Sequence, residues 1–389
     1  MKSTLKRTWA QIDLDALSYN YRKIREHIGD GVKFCGIVKA DAYGHGAVMI
    51  SDRLQSLGAD YLAVSSIDEA MELRYNGITM PILILGHTPR EQVDRLICFN
   101  ITQAVTCEAK AVEYSEEAVK YGGKLKIHIK VDTGMSRLGY ICEGDYFGHG
   151  VDGICYACGL PGLEAEGIFT HFAVADEPDE KSKEYTQHQL KLFCDIVKAV
   201  ENKRACAFKI KHCANTGATV DLPETHLDMV RPGLLLYGYG EYAQKLGLKP
   251  VMTMKTTVST IKIYPKGTKI SYGLTYETDK QTRIGVVPYG YADGFYRSLS
   301  NRYSVMTTQG AAQVCGRICM DMCMIDLTDK PDVGVGDEIE IFGALNPIEK
   351  MAELADTIPY EIVCAVSKRV HRVYIENGET VFSEVMLRM

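Results

Sequence analysis

The chain has no long block of charge of one sign: 44 lysines and arginines face 50 aspartates and glutamates, a formal net charge of -6 over 389 residues. A nucleic-acid or membrane-surface role therefore has no electrostatic footprint. No apolar run approaches the length of a membrane span. The N-terminus "MKSTLKRTWAQIDLDAL" lacks the apolar core of a signal peptide. Its 13 cysteines, an odd number, are scattered without a framework, so reduced thiols and a cytoplasmic setting are expected. Cys155/Cys158 of "CYAC", with His149 nearby, and Cys319/Cys323 of "CMDMC" are closely spaced. Neither has a second pair at ligand spacing, so no metal is expected. Internal repeats and low-complexity segments are absent.

What is present is the composition of a soluble globular protein, long enough for two domains with large cores. Over the first 240 residues or so, short apolar runs alternate with amphipathic stretches. The runs "KFCGIVK", "YLAVSS", "PILILG", "TQAVT", "LKIHIKVD", "AEGIFTHF", "FKIKHC" and "LDMVRPG" read as strands, and "SIDEAMELRYNG" and "EYTQHQLKLFCDIVKAVEN" read as helices between them. Eight strands separated by helices predict an α/β fold, a (β/α)8 TIM-like barrel over residues 1–243. From residue 244 to 389 the texture changes to Gly- and Pro-broken β segments, with "PIEKMAELADTI" the one helical pattern. A mostly β C-terminal domain follows, and the first few residues are candidates to pair with it.

Catalytic groups of such barrels gather at the C-terminal ends of the strands. Here those ends carry Lys39, Lys130, Asp132, His171, Asn215 and Arg231. Lys39 is either a desolvated amine able to form a Schiff base or a rim lysine paired with Asp41. Tyr43 and the glycine-flanked His45 favour the first, because a flat ring and open backbone suit a bound cofactor ring or phosphate. In "LKIHIKVD", Lys126, His128 and Lys130 alternate with apolar residues, which directs Lys130 inward. A buried cation needs a carboxylate partner or chemical neutralisation, and Arg137 of "GMSRLG" has the wrong sign. In "RPGLLLYG", Arg231 keeps its protons and the backbone N–H groups of Gly233 and Leu234 suit a phosphate. His171 is either a functional group or a satisfied core histidine.

Taken together, "VKADAYGHG", "HIKVDTGMSRLG", "GIFTHFAVADE", "HCANTGA", "VRPGLLLYG", "ISYGLTY", "VPYGYADG" and "GRICMDM" resemble the alanine racemase family over nearly the whole chain. The resemblance implies pyridoxal 5'-phosphate as cofactor, alanine as substrate, D-alanine for peptidoglycan as the product's use, and a homodimer with shared sites. It implies that Lys39 holds the cofactor and serves as one base, and that Tyr272 from the partner subunit is the second. Racemisation needs such a pair, since a proton leaves one face of a planar carbon and returns to the other. It further implies that Arg231 faces the cofactor ring nitrogen with His171 bonded to it. Lys130 is implied to be carbamylated, orienting Arg137 toward the cofactor and the substrate carboxylate. Tyr43, Asn215, Thr216, Gly233, Leu234 and Tyr360 are implied around the cofactor, Met320 and Asp321 at the substrate, and Tyr291 in the access corridor. Two departures stand: threonine at 216 where serine is frequent, and an unusual segment "YICEGDYFGHGVDGICYACGLPGL" before the His171 strand.

Three other readings carry weight. A serine or broad-specificity racemase would share most of these motifs, although Tyr360 belongs to the alanine-type pocket. A non-catalytic pyridoxal-phosphate-binding protein shares the barrel and the lysine but lacks the second domain. A cofactor-free Schiff-base aldolase would need Lys39 alone.

Overall fold

The computed structural model describes residues 7–205 and 207–384, which divide into two compact units. One comprises Tyr21–Ala42 and Ala47–Leu236. It is a nearly closed barrel of eight parallel strands: Lys33–Ile37, Tyr61–Val64, Ile82–Ile84, Ile101–Val105, Leu125–Asp132, Leu163–Phe169, Ile210–His212 and Met229–Val230. Each of the eight apolar runs expected from the sequence overlaps one of them, two of the strands, Ile101–Val105 and Leu163–Phe169, beginning before their runs. Tyr61–Val64 and Ile82–Ile84 are buried at every residue, as befits strands covered on both faces. The eighth strand pairs with the first. Two single bonds tie it to the seventh strand's side: Asp228 N–H to the Lys211 carbonyl at 3.0 Å, and Arg231 N–H to the Ala214 carbonyl at 3.1 Å.

Local chemistry sets where the helices begin and end. Ser66 caps the helix Ile67–Tyr75, its hydroxyl accepting from the Glu69 N–H. Gly122, at φ 82°, closes the helix Glu108–Tyr121 in the left-handed region. The unusual segment before the His171 strand forms a short strand Tyr140–Ile141 beside Val131–Asp132, then a helix Phe147–Gly159. Gly150 lets that helix approach, because a Cβ there would stand 2.4 Å from the Ile141 carbonyl oxygen.

The other unit takes its described residues from 7–20, 43–46 and 237–384. Its main sheet has seven strands. Thr8–Asp13 lies inside that sheet, antiparallel to Met252–Thr257 and parallel to His371–Glu376. A smaller antiparallel sheet joins Thr260–Tyr264, Thr282–Val287 and Cys323–Asp326. The expected helix is present as Ile348–Ala355. Pro359–Cys364 is also helical, outside the one helical pattern read from the sequence. Proline in the first turn opens it, where its fixed φ suits a helix and its missing N–H costs nothing.

Candidate active site

Lys39 stands two residues beyond Ile37, the last residue of the first barrel strand, close to the strand-end position the sequence predicts. The backbone after it does something the sequence did not announce. Ala40, Asp41, Ala42 and Tyr43 hold φ between 51° and 57°, and Gly44 follows at 78°. This is a left-handed helical turn built mostly from L-residues with side chains, at a cost of about 1–2 kcal/mol for each. Such strain persists only where neighbours over-determine it. The Ala40 N–H donates to Glu69 Oε1 at 2.7 Å, while Glu69 Oε2 accepts from the Ser65 N–H at 2.7 Å. The Asp41 carboxylate accepts from the Ala47 N–H at 2.8 Å. Glu69 therefore braces the turn that follows Lys39 against the end of the second strand.

Around the same barrel, Arg231 is buried. Its guanidinium donates to His212 Nδ1 at 2.9 Å, His171 Nδ1 at 3.1 Å, and the carbonyls of Thr170 and Cys213 at 2.9 and 3.2 Å. Burial pulls Arg231 down to about 10. His171 is held well below its usual value by burial first, then by Arg231, Lys130, Arg137 and Lys39. The inward direction expected for Lys130 is found: it is buried, with Nζ 5.2 Å from the Phe169 ring centroid. Nζ donates to the Val131 carbonyl at 3.0 Å. Burial and Arg231 lower it to about 7, with Arg137 adding to them and Asp132 opposing. Arg137 itself is exposed beside a cavity of about 340 Å³ that Asp132, Ser136 and Leu138 also line.

Asn215 caps the helix Thr216–Asp221, its side-chain oxygen 3.2 Å from the Ala218 N–H. The Gly233 N–H, read from the sequence as suited to a phosphate, donates to Thr216 Oγ1 at 3.2 Å. Leu234 begins a short 3-10 turn, Leu234–Tyr237. The barrel unit thus brings together Lys39, Lys130, Arg137, His171 and Arg231, with Asn215, Thr216, Gly233 and Leu234 on the turns after the last strands.

Tyr43, Tyr272, Tyr291, Met320, Asp321 and Tyr360 belong to the β-rich unit. The buried Tyr43 ring meets Tyr360 edge-on at 5.5 Å and Tyr237 at 5.4 Å. Burial, with Tyr360 and Cys364 adding to it, pushes its hydroxyl far above the usual phenol range. His45 proves to be a packed core histidine rather than a residue of open backbone: it is buried, with Nδ1 2.9 Å from the Tyr43 carbonyl. Around Met320 the chain is tightly braced. The Tyr291 and Ala292 N–H groups donate to the Cys319 and Met320 carbonyls, each at 3.0 Å. Gly290 permits this, since a Cβ would lie 2.3 Å from the Met320 oxygen. Arg369 binds Asp293 and Asp321 at 2.7 Å each, and both carboxylates raise its pKa. Tyr272 is 70% exposed beside a groove of about 510 Å³ lined by Tyr264, Ile270, Ile284 and Met324 among others.

Residues 12–241 match the family model "Alanine racemase, N-terminal domain", and 251–374 match "Alanine racemase, C-terminal domain". The chain belongs to the alanine racemase family. It is similar to the alanine racemase of Clostridium tetani, 44% identical over 386 residues and covering 97% of each chain. The alanine racemase of Clostridium perfringens strain SM101 is 43% identical over 389 residues, 98% of each chain. Among solved structures it is similar to the alanine racemase of Clostridium difficile 630, with TM-score 0.92, 40% identity and full coverage of both chains. That protein has also been solved in complex with cycloserine.

Two features of this chain escaped the motif reading. Glu69 lies in an ordinary helical pattern, and only its bond to Ala40 N–H marks it. Arg369, in "SKRV", reads as a surface basic residue until Asp293 and Asp321 are seen on either side of it.

Proposed function

We propose that the chain interconverts L- and D-alanine with pyridoxal 5'-phosphate, as a cytoplasmic homodimer whose D-alanine serves peptidoglycan. The observation that carries this reading is the barrel-end constellation of an amine, Lys39, among the cations that depress His171, with Arg231 bonded to that histidine. The donor set suits the cofactor: an amine, a buried guanidinium, and the Gly233 N–H beside the Thr216 hydroxyl for a phosphate. When bound, pyridoxal phosphate supplies an electron-withdrawing ring that acidifies the amino acid's α-proton.

In this proposal residues 1–243 hold the cofactor and residues 244–389 supply the second base. Lys39 anchors the cofactor and moves the α-proton on one face. Tyr272 of the partner subunit moves it on the other, and its exposure here supports a role toward a second copy. Arg231 meets the ring nitrogen as a donor that does not give up its proton, with His171 steadying it. Tyr43, Asn215, Thr216, Gly233, Leu234 and Tyr360 surround the cofactor. Arg137 and the Met320 N–H take the substrate carboxylate, Asp321 braces that loop, and Tyr291 lines the way in. Lys130 is proposed as a carbamate. An amine lowered to about 7 is substantially neutral at neutral pH. Its lone pair attacks carbon dioxide, an N–C bond forms, and one proton leaves to water. The product is an anion between Arg137 and Arg231, two of the groups whose charge lowers the amine.

The test is an absorption spectrum of purified protein followed by an assay of L- and D-alanine interconversion, with serine run alongside. The expected result is a bound-cofactor band and racemisation of alanine faster than of serine. Lys39→Ala should lose both band and activity while remaining folded. Near-full activity in that variant would overturn the assignment, and faster turnover of serine would replace alanine as the substrate.

A further inference from the structure

Beneath Arg231 the barrel interior holds a line of polar groups for which the mechanism gives no role. His212 Nδ1 is 2.9 Å from Arg231, and His212 Nε2 is 2.9 Å from His128 Nδ1. His128 Nε2 is 3.8 Å from Glu166 Oε2, which accepts from the Tyr61 hydroxyl at 2.9 Å. Both imidazoles are fully buried. The line runs from the C-terminal strand ends down to Tyr61, the first residue of its strand. His128 and His212 sit on strands separated by the sixth, so their bond crosses the interior.

The direction of every proton follows from one fact. A guanidinium only donates, so His212 Nδ1 accepts and its proton lies on Nε2. That proton goes to His128 Nδ1, which places the His128 proton on Nε2. His128 Nε2 is a buried nitrogen with no hydrogen-bond partner within normal reach among the described residues. The carboxylate oxygen 3.8 Å away is the anion at its end of the line.

The sixth strand is shaped for this. Ile127 pairs with Ala165 and His128 with Gly167, leaving Glu166 as the extra residue of a bulge. Bulges re-aim side chains next to functional sites. Gly167 is required too, because a Cβ there would stand 2.7 Å from the His128 ring. Among the described residues Arg231 has no carboxylate within ion-pair distance, so its charge has no direct counter-ion.

We propose that Glu166 is a positioning residue for Arg231, the anion faced at 3.8 Å by the far end of a one-way hydrogen-bond chain running Arg231, His212, His128. The chain balances the buried guanidinium at a distance. A carboxylate in direct contact would occupy the donors that Arg231 turns to His171, whereas two neutral imidazoles transmit the field and leave those donors in place. The consequence for catalysis rests on the racemase reading above, but the chain itself does not.

Three measurements separate them. Nitrogen-15 NMR of histidine-labelled protein, assigned with single His→Asn variants, should show His128 and His212 neutral with the proton on Nε2 throughout pH 6 to 9 (roughly the span bracketing an unperturbed histidine). A proton on Nδ1 of either ring, or an imidazolium at either position, would overturn the proposal without touching the racemase assignment. Thermal melts should then show coupling at a distance. Glu166→Gln should lower the Tm of the otherwise native enzyme and raise it in an Arg231→Met background, where the carboxylate is the uncompensated charge. Equal shifts in both backgrounds would refute the link. In the alanine assay, Glu166→Gln should cut kcat about tenfold, within the range of coupling between neighbouring groups of one polar network, with KM little changed and Glu166→Asp recovering part of the loss. Were Glu166→Gln to misfold, Tyr61→Phe, which removes the hydroxyl that donates to the same carboxylate, should give a smaller kcat loss, and wild-type kcat and pH profile in it would count against the proposal.

Discussion

In the barrel unit Lys130 and Arg231 are buried, and the polar groups at the strand ends are held by one another: Arg231 by two imidazoles and two carbonyls, and His171 among the cations around it. In the β-rich unit the corresponding groups stand outward, with Tyr272 at 70% exposure and Met320 at 52%. There, precision lies in the backbone beneath them: the Gly290 contact, the two N–H bonds to the Cys319 and Met320 carbonyls, and the Arg369 clamp. The difference shows two ways of preparing chemistry. A cation buried in a barrel has its proton affinity set by desolvation and its neighbours. A side chain at a surface is placed by the backbone beneath it and stays open to whatever covers it.

The sharpest way to break that comparison is to ask whether Tyr272 acts in a site completed by a second copy. Lys39→Ala and Tyr272→Phe should each be nearly inactive alone. Refolded together from an equal mixture, about half the dimers are mixed and each has one intact site, so roughly a quarter of wild-type activity should return. Tagged mixed dimers without recovered activity would confine Tyr272 to its own chain.

A smaller effect is expected from Arg369→Lys, which keeps a charge near buried Asp293 but loses the two-carboxylate fork. Alanine KM should rise about tenfold with kcat within about threefold, the signature of lost uniform binding. If kcat falls and KM holds, the Met320 loop is not a binding element and the outward groups are not prepared by their backbone.

The smallest effect tests the barrel's tuning. Unmodified Lys130 has its folded pKa lowered to about 7, so above that value the folded state binds fewer protons than the unfolded state. Its contribution to stability is therefore least favourable below about pH 7 and rises through the window up to the ordinary lysine value, by at most ~1.4 kcal/mol per pH unit. Protein depleted of carbon dioxide should show this rise in denaturant melts. Bicarbonate should flatten it and restore activity. A slope unaffected by bicarbonate, with a bare ammonium in a high-resolution map, would remove the carbamate.

Much was legible before any coordinates. The eight apolar runs, the polar residues at their ends and the change of texture near residue 244 are local signals, because burial on both faces and turn chemistry are written residue by residue. The alternation in "LKIHIKVD" was enough to turn Lys130 inward. What only the tertiary structure decided are relations between distant segments. Nothing around Lys39 spells out a left-handed turn of four non-glycine residues; it exists because Glu69 and Asp41 hold it against its own backbone preference. His45 looked open between two glycines and is packed, since the fold sets it against Tyr237 and Tyr239. Glu166 reads as one more strand residue, and a one-residue bulge leaves it out of the pairing register, beside the buried His128. Sequence determines which residues are apolar, charged or conformationally free; which charge faces which depends on register and strand closure, and those are settled only when the whole barrel forms.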